Sequence, residues 1–212
     1  MVSVAFSIGL ALAAQAAAPT APAAALLGQW ESAVRNKGGI GNILEFKADG
    51  TVTQISAAMG DSTYAVEGEW LRSYWTDEAT GKVNELDTIL EFRGSDLFAE
   101  KGEDGTEQSY SERIGNATPG ASPIVGQWCS ILLETLTNYR QFLPDGRVCI
   151  RMPITVLRGR YGVEGGTLDV HIDGQPPGQY PFRFENGQLV IKSRSGEDRA
   201  YKRTDCTLLK GY

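Results

Sequence analysis

The chain has 212 residues, 42% of them hydrophobic, and a formal net charge of −6, which permits one or two globular domains. It carries one histidine and three cysteines, so few residues are available for a histidine-based catalytic or metal site. Acidic residues concentrate in residues 26–115, and residues 120–212 have only a slight excess of basic ones. This distribution argues against a nucleic-acid-binding surface.

The chain begins with a long apolar stretch that has no charged side chain and is followed by the small-residue run Ala16–Ala18. This order is typical of a secretory signal peptide. We therefore predict a signal peptide at residues 1–18 and an extended Ala/Pro linker at residues 19–25. An uncleaved anchor is the alternative, but a spanning helix needs roughly 20 strongly apolar residues. We expect no stable membrane span after cleavage.

The two halves of the remaining chain share one order of motifs. Gly28-Gln29-Trp30 recurs as Gly126-Gln127-Trp128. Each is followed by an Asp-Gly turn, at Asp49 and Asp145, and then by a Tyr-x-Val-x-Gly segment that starts at Tyr64 and Tyr161. Such repetition indicates a duplicated structural unit. We predict domains at 26–115 and 123–212, joined by a linker at 116–122.

Each half divides into short alternating runs separated by Gly, Asp and Asn, the pattern of strands joined by tight turns. The first half predicts eight strands: Gln29–Ser32, Ile43–Phe46, Thr51–Ile55, Thr63–Val66, Trp70–Trp75, Thr88–Phe92, Leu97–Glu100 and Gln108–Arg113. The second half predicts eight more: Gln127–Ile131, Asn138–Phe142, Arg147–Met152, Arg160–Val163, Thr167–Ile172, Tyr180–Phe184, Leu189–Lys192 and Arg199–Thr204.

Eight sequential strands leave two open edges unless the first strand pairs with the last. The predicted fold class is therefore all-β, with two tandem small eight-stranded up-and-down antiparallel barrels. Alternation supplies an apolar interior for each. The first half contributes Leu44, Phe46, Val52, Val66, Leu71, Trp75, Leu90, Phe92 and Leu97, and the second contributes Phe142, Val148, Ile150, Met152, Val163, Leu168, Val170, Ile172, Phe182, Phe184, Leu189 and Ile191.

A Gly-x-Trp on the first strand, a meander of hairpins and an Arg on the last strand resemble the lipocalin and calycin barrels, especially the short lipocalin-like domains of exported bacterial proteins. The resemblance implies that the Trp closes one end of the barrel and that the Arg packs across it. In this chain those residues are Trp30 with Arg113 and Trp128 with Arg203.

The barrel layout also predicts a disulfide. Cys129 has an outward position on the first strand of the second barrel, and Cys206 lies just past the last strand at a position of the same outward parity. These two strands are neighbours in a closed barrel. Since an exported protein favours disulfides, we predict a Cys129–Cys206 bond that leaves Cys149 free.

The sequence offers little for catalysis. His171 lies on a strand whose Leu168, Val170 and Ile172 face the core, so its side chain is predicted to point to solvent. No Cys-x-x-Cys, His-Glu-x-x-His or Gly-x-Ser-x-Gly motif is present. We predict that the protein is not an enzyme and has no catalytic residue, metal site or cofactor.

Binding residues are the more specific candidates. Arg140 shares the inward face with Phe142, and a buried cation needs a partner or an anionic ligand. The alternative is that its aliphatic stem carries the charge to water at the strand end. Tyr161 and the cluster of Trp70, Tyr74 and Trp75 are candidates to line a mouth for an amphiphilic molecule, or to form an exposed docking face.

We therefore expect a periplasmic or secreted binding protein that carries a small apolar or amphiphilic ligand. The alternative is an interaction module for an envelope protein, such as a protease inhibitor. Leu27–Trp30 with its preceding arm, together with Ser193–Tyr201, resembles the small bacterial metalloprotease inhibitors. A structural envelope protein is a third possibility.

Overall fold

The computed structural model describes residues 21–77, 80–132 and 136–206. In these residues a short helix, α1 (Ala21–Leu26), precedes fourteen strands: β1 (Gly28–Ser32), β2 (Ile40–Phe46), β3 (Thr51–Glu67), β4 (Trp70–Thr76), β5 (Val83–Phe92), β6 (Leu97–Lys101), β7 (Glu107–Ile114), β8 (Gly126–Leu132), β9 (Leu136–Phe142), β10 (Arg147–Glu164), β11 (Thr167–Ile172), β12 (Gly178–Glu185), β13 (Gln188–Lys192) and β14 (Asp198–Arg203). The predicted all-β class is confirmed.

The strands form a closed ring that is divided in the middle. Each strand pairs antiparallel with the next, and β1 pairs with β14. In addition, β3 pairs with β10, from Thr63 opposite Arg147 to Thr51 opposite Arg160. This central pairing creates two eight-stranded circuits. Ring A contains β1, β2, the first part of β3, the last part of β10 and β11 to β14. Ring B contains the last part of β3, β4 to β9 and the first part of β10.

Two consecutive barrels at 26–115 and 123–212 are not confirmed, because each ring combines strands from both halves of the chain. β1 pairs with β14, and β7 pairs with β8. The cause lies in β3 and β10. The sequence predicts a break between strands at 56–62 and at 153–159, but the chain stays extended there and continues into the other ring. In β10 this segment is rich in β-branched residues, and a register shift accommodates Pro153.

The N-terminal segment differs from the extended linker predicted at 19–25. Ala21–Leu26 is helical, as the high helix propensity of alanine allows, and Pro22 lies in the first turn, where a missing N–H breaks no hydrogen bond. Leu26 is fully buried in the core of ring A. The predicted signal peptide at 1–18 lies outside the described residues.

None of the helices in the described part of the chain has the length and apolarity needed to cross a bilayer.

Each ring has its own apolar core. In ring A, Trp30, Leu44, Phe46 and Val52 pack with Leu168, Ile172, Leu189, Ile191 and Tyr201. In ring B, Leu71, Leu90 and Phe98 pack with Ile124, Trp128, Phe142 and Val148. Most predicted inward faces are therefore confirmed, although the partners come from the other half of the chain. On β6 the prediction was wrong, since Phe98 rather than Leu97 is fully buried. It was also wrong for Val66, Trp75 and Phe184, which are exposed.

A tryptophan and an arginine cover one end of each ring. The indole N–H of Trp30 donates to the Leu26 carbonyl at 2.8 Å, and that of Trp128 donates to the carbonyl four residues before it at 2.6 Å. The guanidinium of Arg203 lies over Trp30 and that of Arg113 over Trp128, each 4.0 Å from the ring centroid. This corrects the expected pairs: each arginine contacts the tryptophan of the other half, because the strands that carry them are exchanged.

The same contact explains the glycine of the Gly-Gln-Trp motif. Gly28 and Gly126 have φ values of +103° and +132°, which L side chains rarely adopt. A Cβ atom on Gly28 would lie 2.8 Å from Nη1 of Arg203, and one on Gly126 would lie 2.5 Å from Nη1 of Arg113. The backbone conformation therefore favours glycine at both positions, and a Cβ atom there would also displace the guanidinium that covers the tryptophan.

The other repeated motifs join the two halves. The hydroxyl of Tyr64 donates to the Leu143 carbonyl at 2.9 Å, and that of Tyr161 donates to the Lys47 carbonyl at 3.0 Å. The backbone N–H of each tyrosine donates to the glycine carbonyl of the same turn. Each Tyr-x-Val-x-Gly segment thus holds the Asp-Gly turn of the other half.

A buried group of charges lies where β1, β3 and β10 meet. Arg151 is 1% exposed and donates to Glu31, itself 3% exposed, at 2.6 Å, and to Asp61 at 2.9 Å. Lys202 lies 3.2 Å and Arg35 3.7 Å from Glu31. Burial alone would raise the pKa of Asp61, but Arg151 and Arg35 outweigh it and hold that pKa below its ordinary value.

The predicted Cys129–Cys206 disulfide is wrong: Cys206 is bonded to Cys149, and Cys129 is free. The prediction placed β8 beside β14, but β14 closes ring A against β1, whereas Cys129 lies in ring B. Cys149 belongs to the central strand β10, which both rings share. A disulfide indicates an oxidising, extracytoplasmic compartment.

Candidate ligand-binding cavity

Ring A contains a cavity of about 330 Å³. Its apolar walls include Leu44, Phe46, Val52, Leu168, Ile172 and Ile191. These side chains project inward from β2, β3, β11 and β13, because alternate residues of a strand face the same side of the sheet. Arg199, at the cavity, precedes Arg203 by four residues on β14, so the cavity lies towards the end of the ring away from Trp30. An eight-stranded barrel has room either for a filled interior or for one small ligand.

The mouth of the cavity is polar and positively charged. Arg194, Arg199 and Tyr180 line it together with Asn42, Gln54, Gln175, Ser193 and Ser195, whereas Tyr201, which also lines the cavity, is buried. Among the described residues, the cavity lining contains no aspartate or glutamate. The mouth therefore presents two guanidinium groups above an apolar interior.

Backbone contacts position Arg194. Its Nη2 donates to the carbonyls of Pro176 and Pro177 at 2.9 and 3.0 Å, and its guanidinium lies 5.9 Å from the centroid of the Tyr180 ring. The loop before β12 thus holds this side chain over the mouth, where a guanidinium also interacts with an aromatic face.

Arg199 reaches the cavity from β14. It shares a strand face with buried Tyr201 and lies opposite Ile191 on β13. Burial raises the pKa of the Tyr201 hydroxyl, and the neighbouring Arg199 offsets part of that effect. Tyr201 is thus a neutral phenol at pH 7 and offers both a donor and an acceptor at the cavity wall.

Ring B has a charged pair at the corresponding position. Arg140 donates to both carboxylate oxygens of Glu100, at 3.0 and 2.6 Å, and to the Ser111 hydroxyl at 2.8 Å. The Ser109 hydroxyl donates to Glu100 at 2.9 Å. Burial alone would raise the pKa of Glu100, but Arg140 and these hydrogen bonds outweigh it and lower that pKa. Glu100 is therefore a carboxylate at neutral pH.

Strand register relates the two rings residue by residue. Trp30 pairs with Leu44 in ring A, and Trp128 pairs with Arg140 in ring B. On the β13–β14 and β6–β7 hairpins, the pair Ile191–Arg199 corresponds to Glu100–Ser109. The arginine and the glutamate of ring B are thus replaced by leucine and isoleucine in ring A.

The residues predicted for ligand binding do not meet at the cavity. Arg140 faces inward as expected, but its partner is Glu100, and neither a ligand nor solvent is needed to balance its charge. Tyr161 packs edge-to-face on Phe46, with centroids 5.0 Å apart, next to the cavity. Trp70, Tyr74 and Trp75 lie on β4 of ring B, and Trp75 is 41% exposed.

Arg194 and Arg199 were not predicted as cavity residues. For Arg199 a usable signal was present, because alternation along β14 places it on the same strand face as the inward residue Tyr201. The apolar side chains that Arg199 faces depend on the pairing of β14 with β1 in ring A, which the sequence alone does not reveal.

Two other groups of reactive side chains lie outside the described cavity lining. His171 is exposed, as predicted, with Nε2 3.3 Å from a carboxylate oxygen of Asp169. In the described part of the chain, Asp61, Cys149 and Cys206 bring potential metal-binding atoms together. Both sulfurs belong to the disulfide, so that group offers no thiolate to a metal.

Comparisons of the chain with protein-family models, with curated proteins and with solved structures found no match.

Proposed function

We propose that this is an exported, non-enzymatic binding protein that holds a small amphiphilic molecule in the cavity of ring A. The observation that carries the proposal is the contrast between the rings. Ring B has a bidentate ion pair inside it, whereas ring A has apolar walls around about 330 Å³ of space and a charged mouth. An apolar cavity with a few polar groups at one end is a typical small-molecule site.

The size of the cavity limits the ligand. A volume of 330 Å³ is at the lower end of the range for ligand pockets, roughly 300–1,000 Å³. At about 30 Å³ per water-sized group, it suits a molecule with on the order of ten non-hydrogen atoms. A compact amphiphile fits this volume, and a large lipid does not.

The proposed location is the periplasm or the extracellular space. The Cys149–Cys206 disulfide supports it, as does the apolar start of the chain. The proposed resemblance to lipocalin-like domains is supported by the stacked Trp–Arg pairs at one end of each ring.

Native mass spectrometry and dye binding test the proposal. Full-length protein purified from its own cell envelope is expected to carry a small-molecule adduct, and a polarity-sensitive dye is expected to compete for the same site. Val170→Trp, which fills the cavity from β11, should abolish dye binding. Val83→Trp, the same change at an exposed position of ring B, should leave it unchanged.

Each variant must first give a wild-type urea-unfolding transition. If Val170→Trp does not fold, Gln54→Phe at the mouth serves instead. Protein that is consistently empty and does not respond to dye would contradict the proposal.

The protease-inhibitor alternative stays a prediction, and the N-terminal contacts do not favour it. An inhibitory arm needs a free segment, whereas α1 is helical and Arg203 donates to the carbonyls of Ala25 and Leu27. An inhibition assay on envelope proteases, with and without residues 19–25, tests it.

A further inference from the structure

The two rings differ in how the guanidinium beside the interior is paired. In ring B, Arg140 is neutralised by the carboxylate of Glu100 on β6, and the Ser109 and Ser111 hydroxyls add hydrogen bonds to the pair, whereas Nε of Arg140 has no hydrogen-bond partner among the described residues. This geometry, with two nitrogen atoms on two carboxylate oxygens, is the strongest common form of guanidinium–carboxylate recognition. Ring B therefore contains a bidentate carboxylate-binding arrangement whose carboxylate belongs to the chain itself.

Ring A has a guanidinium at this level, on solvent-exposed Arg199, but the described residues that line its cavity include no carboxylate. Arg199 occupies the position that corresponds to Ser109, and the position that corresponds to Glu100 is Ile191. Among the described residues, neither Arg199 nor Arg194 forms an ion pair with a carboxylate. No aspartate or glutamate of that part of the chain lines the cavity. Ring A thus has positive charge beside an apolar interior, and the chain supplies no negative charge there.

We propose that the ligand of ring A is a carboxylate-headed amphiphile, whose head group binds Arg199 and Arg194 and whose apolar tail lies between Leu44, Leu168 and Ile191. This inference rests on the proposed small-molecule binding and names its ligand class. The ligand carboxylate plays the part in ring A that Glu100 plays in ring B. Tyr201 occupies the position that corresponds to Ser111, and its hydroxyl is available to hydrogen-bond the head group.

Charge and size together restrict the ligand. A dicarboxylate would bury one charge against Leu44 and Ile191, which is unfavourable without a partner. A cationic head group would face two guanidinium groups, which is repulsive. A single carboxylate on an apolar tail, with on the order of ten non-hydrogen atoms in all, pairs with the guanidinium groups at the mouth and packs against the apolar walls.

The test compares three amphiphiles with the same tail on the full-length protein: decanoate, decan-1-ol and decyltrimethylammonium. Each is titrated below its micelle-forming concentration, and displacement of a bound dye is measured. Wild type is expected to bind decanoate at least tenfold more tightly than decanol and to bind the cation most weakly. Raising the salt concentration should reduce the difference between decanoate and decanol, because the mouth is exposed to solvent.

Arg199→Gln should weaken decanoate binding about tenfold, equivalent to ~1.4 kcal/mol, and leave decanol binding unchanged. Arg194→Gln should have the same direction of effect. The control is Arg160→Gln, which removes the same charge from an exposed position of β10 in the same ring and should change neither affinity. Because Arg199 is exposed, its replacement is not expected to impair folding.

Failure of this inference and failure of the proposed function give different results. Equal affinities for decanoate and decanol, unaffected by Arg199→Gln, would overturn the carboxylate assignment while the cavity remained a binding site. The same holds if Arg160→Gln lowers decanoate affinity as much as Arg199→Gln, since the effect would then reflect net charge alone. If none of the three amphiphiles displaces dye and no dye binds, the proposed function itself is contradicted.

Discussion

Replacement of Arg151 by methionine tests the buried charges that hold β1 against the central strands. Arg151 is 1% exposed and donates to Glu31 and Asp61 as well as to the carbonyls of Gly60 and Ile150. Methionine keeps the apolar stem but removes the charge and all four hydrogen bonds. Glu31, only 3% exposed, would then lie in the interior with its closest cation gone.

Removing one partner of a buried ion pair typically costs about 3–5 kcal/mol. Lys202 and Arg35 remain 3.2 and 3.7 Å from Glu31, so we expect the lower end, about 3 kcal/mol. This is a large share of a typical unfolding free energy of roughly 5–15 kcal/mol. Both side chains are almost fully buried, so solvent screening does not reduce the figure appreciably.

The assay is equilibrium urea unfolding at pH 7, followed by tryptophan fluorescence and by far-UV circular dichroism. The control is Arg158→Met on the same strand, an exposed arginine, for which we expect a change within about 0.5 kcal/mol. Adding Glu31→Gln to Arg151→Met should recover part of the loss, because the unpaired carboxylate is then removed. A loss below about 1 kcal/mol for Arg151→Met, or no difference from the control, would refute this reasoning.

Three further predictions concern the turns, the disulfide and acid. Gly126→Ala should cost about 1–3 kcal/mol of unfolding free energy, because its Cβ would lie 2.5 Å from a guanidinium nitrogen, whereas Gly162→Ala, with no atom within 4 Å, should cost less than half as much by the same urea assay. Cys206→Ser should lower the free energy of unfolding by about 4 kcal/mol, since the disulfide closes a loop across a sequence separation of 57 residues. A non-reduced peptide map of the wild-type protein should link Cys206 to Cys149, and a link to another cysteine would disprove the assignment. Because the pKa of Glu100 is lowered on folding from its ordinary value of 4.5, its contribution to stability is fully present above that value and is lost as the pH falls through the folded pKa. Glu100→Gln should therefore flatten the fall of stability with acid measured by urea unfolding between pH 5 and about pH 3, and an unchanged profile would count against the ionised pair with Arg140.

Local pattern was sufficient to predict most strands and their inward faces. The alternation of Leu44, Phe46 and Val52 and that of Leu168, Ile172 and Ile191 both identify core positions in the structure. The error at Leu97 has a local cause. Leu97, Phe98 and Ala99 are three consecutive apolar residues, so alternation alone does not identify the inward face there.

The exchange of strands between the halves could not be predicted in the same way. The last strands of the two repeats are chemically similar. β1 therefore has two candidate partners, β7 at the end of its own half and β14 at the end of the other half. Which one it meets depends on whether the chain turns or continues at 56–62 and 153–159. Tertiary contacts decide between the two, because the repeated motifs can form their contacts whether the chain is extended or turned at these residues. The disulfide and the Trp–Arg contacts were mispredicted for this one reason.

The cavity follows from the same exchange. Arg194 and Arg199 of the second half meet Leu44 and Phe46 of the first only because β2 and β14 belong to one ring. Sequence alternation identified Arg140 as the unusual inward cation, but its partner Glu100 is in the other half of the chain.

Methyl-labelled NMR of the full-length protein titrated with decanoate tests the central claim most directly, because it reports on both interiors at once. The account predicts shifts in ring A for Leu44, Leu168, Ile172 and Ile191, and unchanged signals in ring B for Leu71, Leu90 and Ile124. Shifts confined to ring B or to surface methyl groups, or no saturable shift in either ring, would contradict the assignment of ring A as the binding site.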